Sequence, residues 1–325
     1  MRQPRRYARI IGLALGIAAL LLEVWPVAQA WALPINAPLA QTLFPGFSLF
    51  VPRVSFSRAL RLQERGEATA DPLDRTVTAH VESIDIVYAA IHDFSLIATI
   101  PYVTKSFRFT DASGNRQEVT STGFGDVPVL GVYRFLRKDW LGGSLQLAAV
   151  GGLKLPTGSD AERDERLRPL LGTDRLPSEL QPGSGSVDFL FGLPAMLSLK
   201  WFTFYGDVLY KVNSEANDVR FGNVLRYDLA IDYRRLSLFG RDLFLVLELN
   251  GLLQERATRN GQRVEDSGGH FLFLSPGLQL FPTPTLLLET SIQIPVVRRN
   301  FGTQLVPEYN VLFGLRYLFP TALSR

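Results

Sequence analysis

The 325-residue chain contains no cysteine, two methionines and three histidines. Without cysteine there is no disulfide framework, no thiolate nucleophile and no thiolate metal ligand, and the lack is compatible with export through an oxidising compartment. His80, His92 and His270 lie far apart, and no His/Asp/Glu group has the spacing of a metal site, so neither a metal nor another cofactor is expected. Gly151-Gly152 and Gly183-Ser184-Gly185 do not join a strand to a helix and are no phosphate cradle. Beyond residue 30 there is no run of 18 apolar residues, which excludes a spanning helix. The mean hydropathy is nevertheless positive, +0.10. The apolar residues must therefore be spread out.

What is present begins with a leader. Arg2, Arg5, Arg6 and Arg9 precede an apolar run from Ile10 to about Leu22, followed by Ala28-Gln29-Ala30 and Ala32. A charged segment, a short apolar core and an A-x-A site are what the secretion machinery reads. Residues 1–30 are thus a signal peptide cleaved after Ala30, with Ala32 as the alternative; an uncleaved anchor is the competing reading. The leader takes four of the 34 basic residues and one of the 31 acidic ones, leaving 30 of each. A neutral mature chain without basic clusters excludes a nucleic-acid partner, whatever its formal pI.

The spread is at period two. In the segment 225–234, Leu225, Tyr227, Leu229, Ile231 and Tyr233 alternate with Arg226, Asp228, Ala230, Asp232 and Arg234. A strand sends alternate side chains to opposite faces, so one face is apolar and the other polar. The pattern recurs at Leu243 to Leu249, Leu286 to Ile294 and Tyr309 to Phe319. Soluble sandwich strands are usually about five or six residues long. Runs of about ten suit a tilted strand crossing the hydrocarbon, where only a closed barrel satisfies every backbone polar group.

The expected fold is all-β, a transmembrane antiparallel β-barrel of twelve strands near 48–60, 75–90, 94–108, 126–136, 143–156, 184–200, 202–213, 223–235, 242–255, 268–281, 284–297 and 305–319. Ten and fourteen strands are the alternatives, because alternation blurs in the first two. Residues 31–47 then form an N-terminal periplasmic segment, 48–319 the barrel and 320–325 a tail. Five connections read as short, namely 92–93, 137–142, 201, 236–241 and 282–283, and they alternate throughout with six longer ones. Short periplasmic turns and long external loops place both termini in the periplasm of a Gram-negative outer membrane. Tyr133, Phe135, Trp140, Trp201, Tyr233, Tyr317 and Phe319 fall at the periplasmic rim, and Tyr102, Tyr210 and Tyr309 at the outer rim, as two interfacial girdles.

Several motifs carry a resemblance. Tyr88-Ala89-Ala90-Ile91-His92-Asp93-Phe94-Ser95-Leu96 leads to Ile100-Pro101-Tyr102. Gly123-Phe124-Gly125-Asp126 precedes a strand ending Tyr133-Arg134-Phe135. Leu153-Lys154-Leu155-Pro156-Thr157-Gly158 and Gln181-Pro182-Gly183-Ser184-Gly185-Ser186-Val187-Asp188 follow. In this order they resemble the meta-pathway phenol-degradation family of outer-membrane proteins, over about residues 75 to 319. The chain departs from the pattern at Ala89-Ala90-Ile91 and in its tail, which leaves Phe319 as the end that the barrel-insertion machinery must recognise. The resemblance implies a transporter-like barrel passing small compounds of aromatic or hydrophobic character.

An outer-membrane lipid hydrolase would need a Ser-His pair on the outer wall. His92 sits in a periplasmic turn, His270 has no Ser-Asn partner nearby in sequence, and Ser83 falls on the opposite strand face from His80. No enzyme is expected. By alternation the lumen receives Lys154, Asp188, Lys200, Asp207, Lys211, Arg226, Asp228, Asp232, Arg234, Glu248, Glu289, Glu308 and Arg316. The signs are mixed, which argues for interior ion pairing and a narrow or blocked passage, with Arg226 and Glu248 expected to pair. Lys154, Asp188, Asp207 and Lys211, near the outer mouth, are the candidate substrate contacts. The loop 157–183 is either a solvated surface loop or a constriction. The expected partners are outer-membrane lipid, the insertion machinery and a small-molecule substrate; the competing class is a non-conducting structural or adhesive barrel.

Overall fold

A computed structural model describes residues 34–37, 42–43 and 45–320. The signal peptide expected over 1–30 and the residues of the tail beyond Pro320 lie outside the described residues. Twelve antiparallel strands form the wall: β1 Phe47–Glu64, β2 Thr76–Ile91, β3 Phe94–Thr110, β4 in two pieces Arg116–Phe124 and Val127–Trp140, β5 Gly143–Leu155, β6 in two pieces Asp188–Gly192 and Ala195–Leu199, β7 Phe202–Val212, β8 Val224–Leu238, β9 Arg241–Gln254, β10 Gly269–Thr283, β11 Leu286–Asn300 and β12 Thr303–Pro320. Neighbours in sequence are neighbours in the sheet, β7 pairs β8, and β1 pairs β12 from Phe47↔Pro320 to Glu64↔Thr303. The sheet is thereby closed, as twelve strands of alternating pattern require.

The side-chain distribution is inverted relative to a water-soluble protein. On β8 Leu229 is 59% exposed while Asp228 on the next position is 2% exposed. Leucines outside and carboxylates inside are stable only where hydrocarbon surrounds the wall. Tyr133, Phe135, Trp140, Trp201 and Phe202 are exposed at one end of the barrel, and Tyr102, Phe124 and Tyr210 toward the other, as the girdles require.

At one end, five two-residue turns join the strands: 92–93, 141–142, 200–201, 239–240 and 284–285. Phe239 and Gly240 both have positive φ, 52° and 72°, the twist that matches a two-residue hairpin. Both ends of the barrel chain lie at this turn end, since Phe47 faces Pro320. At the other end the expected regularity fails twice. The segment 109–125, read as a loop, is a protruding hairpin in which Arg116–Phe124 pairs with β3 and only 111–115 turn. The connection expected at 298–304 is the two-residue turn 301–302, because β11 and β12 continue past the membrane. The strand expected over 184–200 is shorter and is interrupted at Leu193-Pro194, where proline offers no N–H to the ladder.

One seam in the wall is incompletely zipped. The β11–β12 register ends at Gln293↔Asn310, although β11 stays paired to β10 as far as Asn300 and β12 to β1 as far as Thr303. Pro295 and Pro307 remove a donor from each side of that seam. The Arg298 Nε donates across it to the Pro307 carbonyl at 2.9 Å.

Candidate functional site

The interior is built in three storeys. At the loop end, three of the quoted motifs meet. Lys154, inward on β5, donates from Nζ to Asp126, Ser184 and the Ser186 carbonyl, and lies 3.1 Å from Asp188. Asp126 also accepts from the backbone N–H of Gly158 at 3.1 Å and of Ser184 at 2.9 Å. Gly158 and Gly183 pack backbone on backbone: a Cβ on either would lie within 2.7 Å of the other's main chain. Asp188 in turn accepts from Ser186 Oγ and the Ser214 N–H, and Lys211 stands 3.9 Å away. Lys154 and Asp188 are therefore fully engaged in tying the two feet of the loop 156–187 together, which leaves little of either for a substrate.

That loop is folded. It carries the short helical segments Glu165–Leu167 and Arg168–Leu171, and Leu167, Leu176 and Leu180 pack on Phe109 and Val119 of the protruding β3–β4 hairpin. Lys105 Nζ donates to the Gln181 carbonyl at 2.7 Å, and Ser121 Oγ to the Leu180 carbonyl at 2.5 Å. On its outer side the side-chain hydrogen bond from Arg166 holds the Asp164 carboxyl below its ordinary range. The loop is a docked cap on the hairpin, between the solvated and the constricting reading.

In the middle storey a segment of the chain lies inside its own barrel. Residues 34–37, expected in a periplasmic segment, lie inside the wall, and Ile35 and Pro34 are buried. The Ile35 and Asn36 N–H groups donate to Glu248 of β9, and Asn36 Nδ2 donates to Ser291 Oγ of β11 at 3.2 Å. The Asn36 carbonyl accepts from Arg226 Nη2 at 2.9 Å, and the Pro34 carbonyl from Arg316 Nη2 at 2.8 Å. The Ile35 side chain sits against Gly277 of β10, where a Cβ would come within 2.5 Å of it. The expected Arg226–Glu248 pair is corrected by this arrangement. In the β8–β9 register Arg226 faces Leu252 and Glu248 faces Ala230, and Asn36 stands between the two charges, accepting from one and donating to the other.

The third storey, toward the turn end, is a charge cluster in which Glu289 and Arg316 are buried and Arg53 and Asp85 are partly buried. Glu289 bridges Arg316 at 2.7 Å and Arg53 at 3.2 Å, and Arg53 also reaches Asp85 at 2.9 Å. Gln279 Nε2 donates to Glu289 as well. Nearby, Arg134 pairs with Asp93 and donates to Gln146.

Of the other residues expected in the lumen, Asp228 accepts from Asn250 at 2.8 Å and lies 3.5 Å from Arg226. Asp232 lies 4.0 Å from Arg234, which donates to Tyr205. Asp207 is buried opposite Asp228, and neither of its carboxylate oxygens has a hydrogen-bond partner. Glu308 is at the loop-end rim, 3.9 Å from the half-exposed Arg61. Lys200 is not a lumen residue; it is exposed in the β6–β7 turn against Trp201, because β6 has already ended at Leu199. Sequence reading missed Arg53, Asp85, Asp126, Arg134 and residues 34–37. Arg53 and Asp85 alternate with their neighbours like any inward residue, and the apolar stretches around them hid the signal.

The histidines form no site. His92 is exposed beside Asp93, His270 Nε2 lies 2.7 Å from the Tyr227 hydroxyl on the outer face, and among the described residues no group of three His, Asp or Glu could hold a metal.

A family model described as "Putative MetA-pathway of phenol degradation" matches residues 75–305. The chain belongs to that family. No curated protein sequence matches it. Among solved structures, the fold is similar to that of an outer membrane channel from Pseudomonas putida F1, with TM-score 0.64 and 15% identity over 88% of this chain and 100% of that one. Lower scores relate it to the NanC porin (TM-score 0.44, 11% identity, 82% of this chain and 98% of that one) and to the translocator domain of the autotransporter NalP from Neisseria meningitidis (0.42, 9%, 96% and 96%). Membership of the family places the three converging motifs, Asp126, Lys154 to Gly158 and Gly183 to Asp188, within the matched region.

Proposed function

We propose that the chain is an outer-membrane channel for passive passage of small aromatic or hydrophobic compounds, and not an enzyme. The observation that carries this reading is the stopper. Residues 34–37 occupy the lumen beside β8 to β12 through a handful of hydrogen bonds to Glu248, Ser291, Arg226 and Arg316, and they are joined to the wall covalently through the chain leading to β1. A twelve-stranded barrel encloses more room than its own side chains fill, so the stopper is a removable closure of an existing space. The apolar, phenol-like cargo is supported by the family whose model matches residues 75–305 and is described by phenol degradation.

In this reading the turn end and both termini face the periplasm and the folded loop 156–187 faces outward. Large maleimide reagents should label Thr173→Cys on intact cells and Arg241→Cys only after the outer membrane is breached, a clean experiment because the chain has no other cysteine. Outer-membrane lipid and the insertion machinery, acting at Phe319, are its partners. Flux into protein-loaded vesicles tests the cargo: a substituted phenol should enter several-fold faster than into empty vesicles while a disaccharide should not. Equal, background rates for both would support the second reading, a non-conducting barrel, which the filled and charge-paired lumen favours.

A further inference from the structure

We propose that the turn end carries, on three neighbouring hairpins, a binding site for the headgroup of an anionic glycerophospholipid. The hairpins β4–β5, β6–β7 and β8–β9 stand side by side in the wall. Together they present Lys138, Lys200, Arg235 and Arg241, all exposed and none in an ion pair among the described residues. The remaining cation there, Arg137, is already paired to Asp139 at 2.8 Å, and Asp242 is the only other acid of these turns. The rest of the turn end differs: the 92–93 turn is His92-Asp93, the 284–285 turn is Pro-Thr, and neither carries Lys or Arg. Among the described residues the exposed positive charge of the turn end is thus confined to one arc.

Two of the four cations converge on one ring. Lys200 Nζ lies 5.2 Å and Arg235 Cζ 4.7 Å from the centroid of Trp201. Two like charges on one indole with no carboxylate between them repel each other, and an anion seated there removes that repulsion. A guanidinium stacked on an aromatic face keeps its in-plane N–H groups free to donate to phosphate oxygens. The β8–β9 hairpin continues past the Phe202↔Tyr233 pair to Leu238, so it stands beyond the 200–201 turn as a side wall. Below the turn, Leu199, Phe202 and Phe204 are exposed on the lipid side for an acyl chain, and at the tips Leu141 and Phe239 are 104% and 93% exposed. Cationic tips, an indole floor and apolar flanks match a phosphate diester with two acyl chains. The choice of a glycerophospholipid over lipid A rests on the periplasmic orientation of the turn end proposed above.

Native mass spectrometry on the folded protein in detergent, with phosphatidylglycerol, phosphatidylcholine or lipid A added, tests the site. Phosphatidylglycerol should be retained at least tenfold better than phosphatidylcholine. Replacing the four cations by Gln should lower that retention by about fivefold per charge removed, as expected for basic residues at an anionic surface, while heat-modifiable migration still reports a folded barrel. Arg163→Gln with Arg166→Gln and Arg175→Gln, at the loop end, should leave it unchanged. Equal retention of the two glycerophospholipids, undiminished binding by the fourfold variant, or equal loss in the loop-end variant would refute the site. Stronger retention of lipid A, lost in the fourfold variant, would overturn the orientation and the choice of lipid while leaving the channel reading intact.

Discussion

The loop-end mouth and the centre of the lumen are held by the same chemistry, Lys or Arg against carboxylate, yet they hold different things. At the mouth, Lys154 and Asp126 bind side chains and backbone of a loop whose feet are also locked by glycine-on-glycine packing. At the centre, Glu248, Arg226 and Arg316 bind mainly the backbone of residues 34–37, a segment held against β8 to β12 from inside the barrel. The first arrangement is part of the scaffold; the second is an occupant. The difference teaches that buried charge in this barrel does not by itself report a pore lining.

The comparison can be broken most forcefully beneath the stopper. Glu289→Ala leaves the buried Arg316 guanidinium without its carboxylate, while the partly buried Arg53 keeps Asp85, and breaking a buried pair typically costs about 3–5 kcal/mol. Urea unfolding in detergent should show a loss of that size, and Glu289→Ala with Arg316→Ala should recover part of it. Lys154→Met comes next. It strands Asp126 and Asp188 at a wetter site, with an expected cost of about 2–3 kcal/mol by the same argument, and protease should then cut between Ser159 and Leu180 far faster than in the parent. If the loop stays resistant, the mouth network is not what holds it.

Glu248→Gln is smaller. It keeps an acceptor for the Ile35 and Asn36 N–H groups but removes the charge that strengthens those bonds, a loss of about 1 kcal/mol. It should destabilise the stopper more than the barrel, seen as faster hydrogen exchange at Ile35 and Asn36 with the unfolding midpoint little changed. Smallest of all, Arg163→Gln breaks an exposed pair with Asp174, and surface pairs contribute about 0–1 kcal/mol. No measurable effect on the loop's protease resistance is expected.

Much of the wall was legible in the sequence, for a physical reason. A strand between lipid and a polar lumen must alternate, and β8, β9, β11 and β12 do so over their membrane-crossing lengths. The order of the breaks between strands was equally plain, but the turn expected at 282–283 falls at 284–285, the break at 193–194 was not seen, and the upper ends of β3, β4, β11 and β12 run on, where strands in water keep pairing without any lipid to impose a pattern. The Arg116–Phe124 strand, rich in polar residues, therefore read as loop. In the lumen, alternation located Asp188, Asp228, Asp232, Glu248, Glu289 and Arg316 on the inward face, but partners depend on register and on side-chain reach across the barrel, which period two does not encode. The stopper was illegible for a different reason: Pro34-Ile35-Asn36-Ala37 has no periodicity, and its position follows from hydrogen bonds made about 190 to 280 residues away. Asp207 shows the same limit. Its inward face was readable, its lack of a partner was not.

Single-channel conductance in planar bilayers, comparing the mature chain with a variant lacking residues 34–37, tests the central claim most directly. If the lumen is closed by an occupant, the deletion should raise conductance several-fold while the folded barrel is retained. An unchanged conductance in a folded variant would mean that the wall's own ion pairs close the passage, and the stopper would be no gate at all.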